Sequence, residues 1–556
     1  SRAAGSDGAT RQGCARGSDC VDCGPRASAG PWSSHLTAAS SDAVNPTVAA
    51  VFSGLLADGS QRYLLTVRVY PTGFASSDGG SPYVVGTHVG GGFEAHGACY
   101  PGTPASGSAP HICATAVDVT CGVDAEGNPL HVNQEVHKAA ADPRLTLELN
   151  RYNLEYNLTP GPVAGGAFSA TEREILGCLA DLKGHAAAHG GKVVAIGILP
   201  TLREADFGPG SITDRRRYHA LVAQLIERRG SNFRIDINGR NPLQIDMADI
   251  TLEGANTSFQ VHYRVAPAVY ADTYNALQLA TPLALAIAGN SPTLFGHALW
   301  RETRIPLFKQ SIDCRQRDRY SWSEPARVNF GRGWVRRGAH ELFAEQVRLY
   351  PPLLPICGEG EAPGAPSLDE LRLHLSTVWL WNRPVYDPVD GGHLRIELRS
   401  LPAGPTPVDM VANAAFLVGL AEGLRPRINR LLPALPFHIA EYNFYRAAQH
   451  GLAAKLVWPR EDQHGLEETP VTELLEACLP VAAEGLAAIG TPAEEISHYL
   501  GVIGERLACR QTGATWQLDT LHGLDGGLPT PDAQHEMLKR FMALAEANRP
   551  VAEWPL

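Results

Sequence analysis

Three stretches of the chain alternate strictly between polar and apolar positions. In RYNLEYNLTP, Arg151, Asn153, Glu155 and Asn157 share one side, and Tyr152, Leu154, Tyr156 and Leu158 share the other. In TSFQVHYRV, Ser258, Gln260, His262 and Arg264 oppose Phe259, Val261, Tyr263 and Val265. In HLRIELR, Arg395, Glu397 and Arg399 oppose Leu394, Ile396 and Leu398. Successive strand side chains point to opposite faces, so each stretch is a half-buried strand of the kind antiparallel sheets use. Helical periods are legible elsewhere. Thr171 to Gly191 reads as an amphipathic helix closed by glycines, followed by a buried strand over Lys192 to Pro200. Asp214 to Gly230 reads as a helix with a capping Asp and a terminal Gly. Thr406 is placed to cap a third helix, with Pro407 at its first position and Asp409 closing a capping-box-like pattern. Beyond about residue 430 the chain is mostly helical. The pattern predicts an α+β fold: a large, mainly antiparallel sheet flanked by helices, with a helical C-terminal part.

Composition divides the chain. Residues 1–120 contain no Lys and no Met, a single Glu (Glu94), and an excess of Gly, Ala, Ser, Thr and Pro. Only Ser60 to Tyr70 there has the look of a strand. The expectation for 1–120 is an atypical low-complexity leader, either disordered or read from a shifted frame and joined to the rest near residue 121. Residues 121–430 then form the core, and 431–556 a helical part of the same domain. A net charge of −11 and a pI near 6.0 argue against a nucleic-acid partner. The most apolar segments, such as Pro282 to Gly289, fall short of the ~20 residues that a membrane span needs. No basic start followed by an apolar stretch marks a signal peptide. Eleven cysteines, an odd number, do not suggest a complete disulfide framework, so a cytoplasmic location is expected.

The polar faces of the three strands contain no Lys; they offer Glu, His, Asn, Gln and Arg. Carboxylates hold Mg²⁺ through oxygen, and guanidiniums grip phosphates bidentately. Side by side, such faces would make a polar floor suited to a multiply charged substrate. No GxxxxGK[ST] motif occurs, so phosphates would rest on metal and arginine rather than on a P-loop.

These residues resemble glutamate–cysteine ligase family 2, the carboxylate–amine ligases related in fold to glutamine synthetase. The resemblance rests on five blocks in order: Leu147 to Pro160, Thr257 to Val265, Ala288 to Asp313, Thr377 to Phe416, and Asn443 to Leu452. It implies ATP and Mg²⁺ as cofactors, amino acids as small-molecule substrates, and an acyl-phosphate route to an amide. Glutamate would be the acid and cysteine the amine, placing the protein in glutathione biosynthesis. By position, Glu155 and Glu397 are the implied metal ligands, joined by His262 at the end of a strand where Gln260 replaces a His. Arg399 would steady the transferring phosphoryl group, and Arg304, in RETRI, would clamp a substrate carboxylate. Asn157, Gln260 and Arg395 are expected beside substrate or ATP. Arg304 has a structural alternative, holding Glu302 or a helix C-terminus.

One departure stands out. The family's catalytic domain opens with a strand bearing two alternate carboxylates, shortly before a V-D-x-x-G-x-P-like turn. The turn is present as VDAEGNPL (Val123 to Leu130), but HICATAVDVTCG upstream carries only Asp118. The alternative is therefore a catalytically impaired ligase-fold protein that binds nucleotide or amino acid without turnover. The amine acceptor and oligomeric state stay open.

Overall fold

The computed structural model describes residues 111–316, 324–356, 366–459, 465–526 and 529–556, with the backbone of four short strands between residues 33 and 69. The chain divides into two compact units, Ser1–Thr72 and Gly73–Leu556. In the first, Ser33–Ala39, Thr47–Leu55, Gln61–Arg62 and Thr66–Val69 form an antiparallel sheet, the last two falling where Ser60 to Tyr70 was read as one strand. The expectation of a disordered or mis-framed leader otherwise lies outside the described residues.

The second unit is built on an eight-stranded sheet: β1 His111–Val123, β2 Leu145–Leu147, β3 Asn153–Asn157, β4 Gly161–Pro162, β5 Lys192–Val194, β6 Phe259–Arg264, β7 Asn382–Asp387 and β8 His393–Leu398. The order is β7-β8-β6-β1-β3-β2, with β4 and β5 also pairing to β1, and every ladder is antiparallel. The three alternating stretches are thus β3, β6 and β8. The central strand β1 crosses residue 121 without a break. The turn between β7 and β8 ends on Gly391 and Gly392, whose φ of +82° and +91° a side chain would strain.

The principal helices are α1 Ala167–Ala187, α2 Tyr270–Ala288, α3 Arg304–Ser311, α4 Pro407–Leu424, α5 Val471–Ala488, α6 Ala493–Cys509, α7 Gly513–Asp525 and α8 Pro531–Glu546. One face of the sheet is mainly apolar: Val117, Leu154, Val261, Ile396 and Leu398 are all buried. Ile175 and Cys178 of α1 pack there against Val117 and Tyr156. The Tyr263 hydroxyl donates to Glu422 of α4 at 2.9 Å. Helix α4 is buried around its whole circumference and is mostly apolar, as an element enclosed on all sides tends to be. The run Pro407–Ala434 would be long and apolar enough to cross a membrane, but 94% of its apolar window is buried inside the protein. Thr406 caps α4 as expected, its Oγ1 accepting the Asp409 amide at 3.2 Å. The helix after Asp214 starts instead at Arg216 with no side-chain cap, although Gly230 closes it in the left-handed conformation. The strand expected over residues 192–200 narrows to β5, and the chain beyond it stays buried without pairing.

Candidate functional site

Register gathers the polar residues of neighbouring strands. His262 of β6 stands opposite Glu397 of β8, and Arg264 opposite Arg395. On the other side of β6, Gln260 stands opposite Ala116, whose next partner is Asn157 of β3. Asp118 of β1 faces Glu155. Residues directly opposite in an antiparallel pair lie on the same face. The structure therefore brings Glu155, Asn157, Gln260, His262, Arg395 and Glu397 onto one side of the sheet. That side is not solvated: Glu155, His262, Arg395 and Glu397 are each 0% exposed. The alternation was legible in sequence, but burial of both faces was not.

Glu397 is held between two arginines. Its Oε1 accepts from Arg399 and its Oε2 from Arg383 of the neighbouring β7. Burial works to neutralise this carboxylate, yet Arg383, Arg399 and His262 keep it ionised and well below the usual carboxylate range. Burial likewise opposes the charge of Arg399, and Glu397 first, then Asp118 and Glu155, more than compensate. Arg399 thus lies within electrostatic reach of both Glu397 and a second acidic cluster.

That cluster consists of Asp118, Glu148 and Glu155, with one carboxylate oxygen from each lying within 4.8 Å of the others. Asp118 Oδ2 accepts from the backbone N–H and the hydroxyl of Ser258, at 2.8 and 2.7 Å. Its Oδ1 is buried with no hydrogen-bond partner. Burial, then Glu155 and Glu148, push the Asp118 carboxyl well above its usual range despite Ser258. Three converging carboxylates, one with a bare buried oxygen, are a hard-oxygen donor set that fits Mg²⁺ or Mn²⁺. Gln260 Nε2 donates to Glu155 Oε2 at 3.2 Å, tying β6 to the cluster. Arg217 stands close enough for Glu148 and Glu155 to raise its pKa against burial, while its Nη2 donates to the Tyr218 hydroxyl at 2.6 Å.

Three expected residues already have partners within the protein. Arg304 is buried at the start of α3, its Nε on Glu302 Oε1 at 2.8 Å and its Nη2 on the Ser400 carbonyl at 2.6 Å. This is the structural pairing foreseen as its alternative. Arg395 donates to Asp387 Oδ2 at 2.6 Å. Asn157 reaches Arg144 O and Thr146 Oγ1, each at 3.4 Å.

Asp118, Glu148 and Arg383 were not read as site residues. In the sequence Asp118 stands without a second carboxylate two residues away. Its partners come from β3 and the segment before it, so the cluster exists only once β1 and β3 are paired. Glu148 had a faint signal: in LTLELN, Thr146 and Glu148 alternate with three buried leucines.

The sheet thus gathers a carboxylate cluster able to hold a metal ion, a His and arginines. Residues 121–324 match the family model of glutamate–cysteine ligase family 2 (GCS2). The resemblance to that family is therefore shown over this stretch, while the blocks Thr377 to Phe416 and Asn443 to Leu452 lie beyond it. No curated protein matches the sequence. Among solved structures, a bifunctional glutathione synthetase from Pasteurella multocida gives a TM-score of 0.44 at 11% identity, over 79% of this chain and 52% of that one. This chain thus spans about half of that protein. A glutamate–cysteine ligase from Francisella tularensis, solved in complex with AMP, gives 0.42 at 12% identity, over 81% and 95%. The complex of the ubiquitin-like protein Pup with its ligase PafA gives 0.32 at 9% identity, over 81% and 71%.

Proposed function

We propose that this protein is an ATP-dependent carboxylate–amine ligase, with glutamate as the acid and cysteine as the amine. The observation that carries this reading is the juxtaposition of the Asp118–Glu148–Glu155 cluster with Arg399 and Glu397 on one sheet face. A triphosphate needs positive charge, and without a P-loop that charge comes from metal and arginine. Asp118, Glu148 and Glu155 would hold Mg²⁺, which when bound supplies charge neutralisation for the phosphates. His262, opposite Glu397, lines the floor between the cluster and the arginine pair.

The chain's own residues then divide the work. Glu397 fixes the guanidiniums of Arg383 and Arg399, so neither has to reorganise as charge develops on a transferring phosphoryl group. An oxygen of the acid bonds to the γ-phosphorus of ATP as ADP leaves. The amine nitrogen next bonds to the acyl carbon, phosphate leaves with the bond's electrons, and the nitrogen gives up a proton. Asn157, Gln260 and Arg395 are assigned to orienting substrate along the same face. A reducing, cytoplasmic setting belongs to this reading.

The test is incubation with ATP, Mg²⁺ and glutamate against each amino acid in turn, reading ADP and amide together. ADP with a new amide, largest for cysteine, is expected. Nucleotide binding without ADP release in any pairing would instead leave a non-catalytic ligase fold.

A further inference from the structure

A cavity of about 460 Å³ lies apart from the polar sheet face, with none of the residues assigned above in its lining. Its walls come from α3, the segments flanking that helix, the strand Phe233–Ile237, and Tyr445 of the helix Phe437–His450. Its volume is within the range typical of small-molecule sites.

The charges on its walls do not cancel. Asp313 chelates Arg315 through two bonds, at 2.7 and 2.8 Å. Asp236 stands 3.7 Å from Arg234. Three cations, Arg234, Lys309 and Arg315, thus face two acids on these walls, and both acids stand nearest an arginine. Lys309 Nζ donates to the Tyr445 hydroxyl at 2.7 Å and lies 4.6 Å from the centre of that ring. No carboxylate pairs with it among the described residues, and an ammonium has three N–H groups to place. Burial lowers the Lys309 pKa; Glu441 is the strongest charge opposing this, Arg315 and Arg332 add to the lowering, and Asp313 opposes it weakly. A partly desolvated ammonium gains from an anion more than one in water would. Beside it stand two flat apolar surfaces, Pro306 and the indole of Trp300. The indole is fixed by its Nε1 donating to Asn238 Oδ1 at 2.7 Å.

We propose that this cavity is a second small-molecule site, for a ligand carrying one carboxylate or phosphate on a flat apolar body. The anion would sit on Lys309, and the body against Trp300 and Pro306. The inference does not depend on the ligase reading.

Ligand-observed NMR on the full chain tests it with three probes sharing one ring: benzoate, phenyl phosphate and uncharged benzyl alcohol. At least one anion should saturate and benzyl alcohol should not; the tighter anion identifies which head group the site prefers. Lys309→Met should weaken binding by about 10- to 100-fold, the worth of a charge-assisted hydrogen bond. Lys309→Arg should retain it within about three-fold, showing that charge at this place is what matters. Should Lys309→Met not fold, Trp300→Ala gives an independent route, since loss of the stacking surface should weaken both anions. Glu155→Gln, on the other site, should leave binding unchanged. The proposal is overturned if neither anion saturates, if Lys309→Met binds as the parent does, or if benzyl alcohol binds equally well.

Discussion

Asp118 has one oxygen bonded twice and the other bare, in a place where two more carboxylates converge. Without a cation, the cheapest relief is a proton, which is why its pKa is raised. The sign of the resulting pH dependence follows. A carboxyl whose folded pKa lies above its unfolded value contributes stability that is fully present below about pH 3.9 and lost as pH rises through the folded value. The metal-free protein should therefore lose this contribution above that range. Mg²⁺, competing with the proton, should raise the melting temperature more at pH 8 than at pH 5. At 100 times its dissociation constant the ion would add about 2.7 kcal/mol. Asp118→Asn should remove most of the Mg²⁺ response while raising the metal-free stability at pH 8. Calorimetry at both pH values checks this, and an undiminished Mg²⁺ shift in the variant would rule the cluster out as the ion's seat. At Glu397 two effects must be separated. Glu397→Gln should lower turnover by about 10²- to 10³-fold, as loss of a preorganised electrostatic contact does. It also strands two buried guanidiniums, which costs about 3–5 kcal/mol of stability. Adding Arg383→Met should recover part of the melting temperature without restoring turnover, because Arg399 would still lack its anchor. Recovery of both together would mean that Glu397 is a structural residue only. At this scale the sequence placed Glu155, His262, Glu397 and Arg399 on the polar sides of their stretches by a period of two. It did not bring Asp118, Glu148 or Arg383 beside them, because their neighbours are fixed by pairing between strands.

At the scale of elements, the alternation in β3, β6 and β8 was legible because one face had to be continuous with the apolar core. Burial of the polar face as well was illegible, since alternation looks the same whether the wet side meets water or protein. Helix positions were read more closely than their caps: Thr406 caps α4, whereas Asp214 does not cap the helix beginning at Arg216. The helix contact that matters most left only a faint mark in the sequence, in the glycines Gly419, Gly423 and Gly485. A Cβ on Gly485 would sit 1.9 Å from the Gly419 carbonyl oxygen and 2.5 Å from the Gly423 nitrogen. Both obstacles are backbone, so α4 and α5 would have to separate. Gly485→Ala should cost about 1–3 kcal/mol, the usual price of overpacking, despite alanine's better helix propensity. Gly501 in α6 has nothing within 4 Å of the corresponding position, so Gly501→Ala should be stabilising by up to about 1 kcal/mol. Urea midpoints for the pair decide the matter. Equal shifts would show that the close approach of α4 and α5 carries no energy.

Across the whole molecule, the C-terminal helices are bound into the core by polar ties as well as by packing. Arg506 of α6 donates to Asp409 at 2.8 Å and to Asn413 at 2.6 Å, both on α4, and reaches the Ile287 carbonyl at the end of α2. Gln517 of α7 donates to Asn290 Oδ1 at 2.8 Å, while Asn290 donates to the Ala403 carbonyl at 2.8 Å. Gln534 of α8 donates to the Pro200 carbonyl at 2.7 Å. All of these groups are buried. Removing one side leaves the other unsatisfied, at about 1–3 kcal/mol per neutral group and more for the charged Asp409. It would also bare the flank of α4 that α5 and α6 cover. We therefore expect residues 121–430 not to fold alone, although the resemblance to a ligase core lies largely within them. Such a fragment would also lack residues 111–120, which supply the inner part of β1 and with it Asp118. The expected outcome is an aggregating or unfolded 121–430 fragment, and a single cooperative urea transition for residues 111–556 with matching fluorescence and circular dichroism. Two separated transitions in 111–556, or a soluble and cooperatively folded 121–430 fragment, would show that the C-terminal helices are an independent module and that their buried ties to Asp409, Asn290 and Pro200 are dispensable.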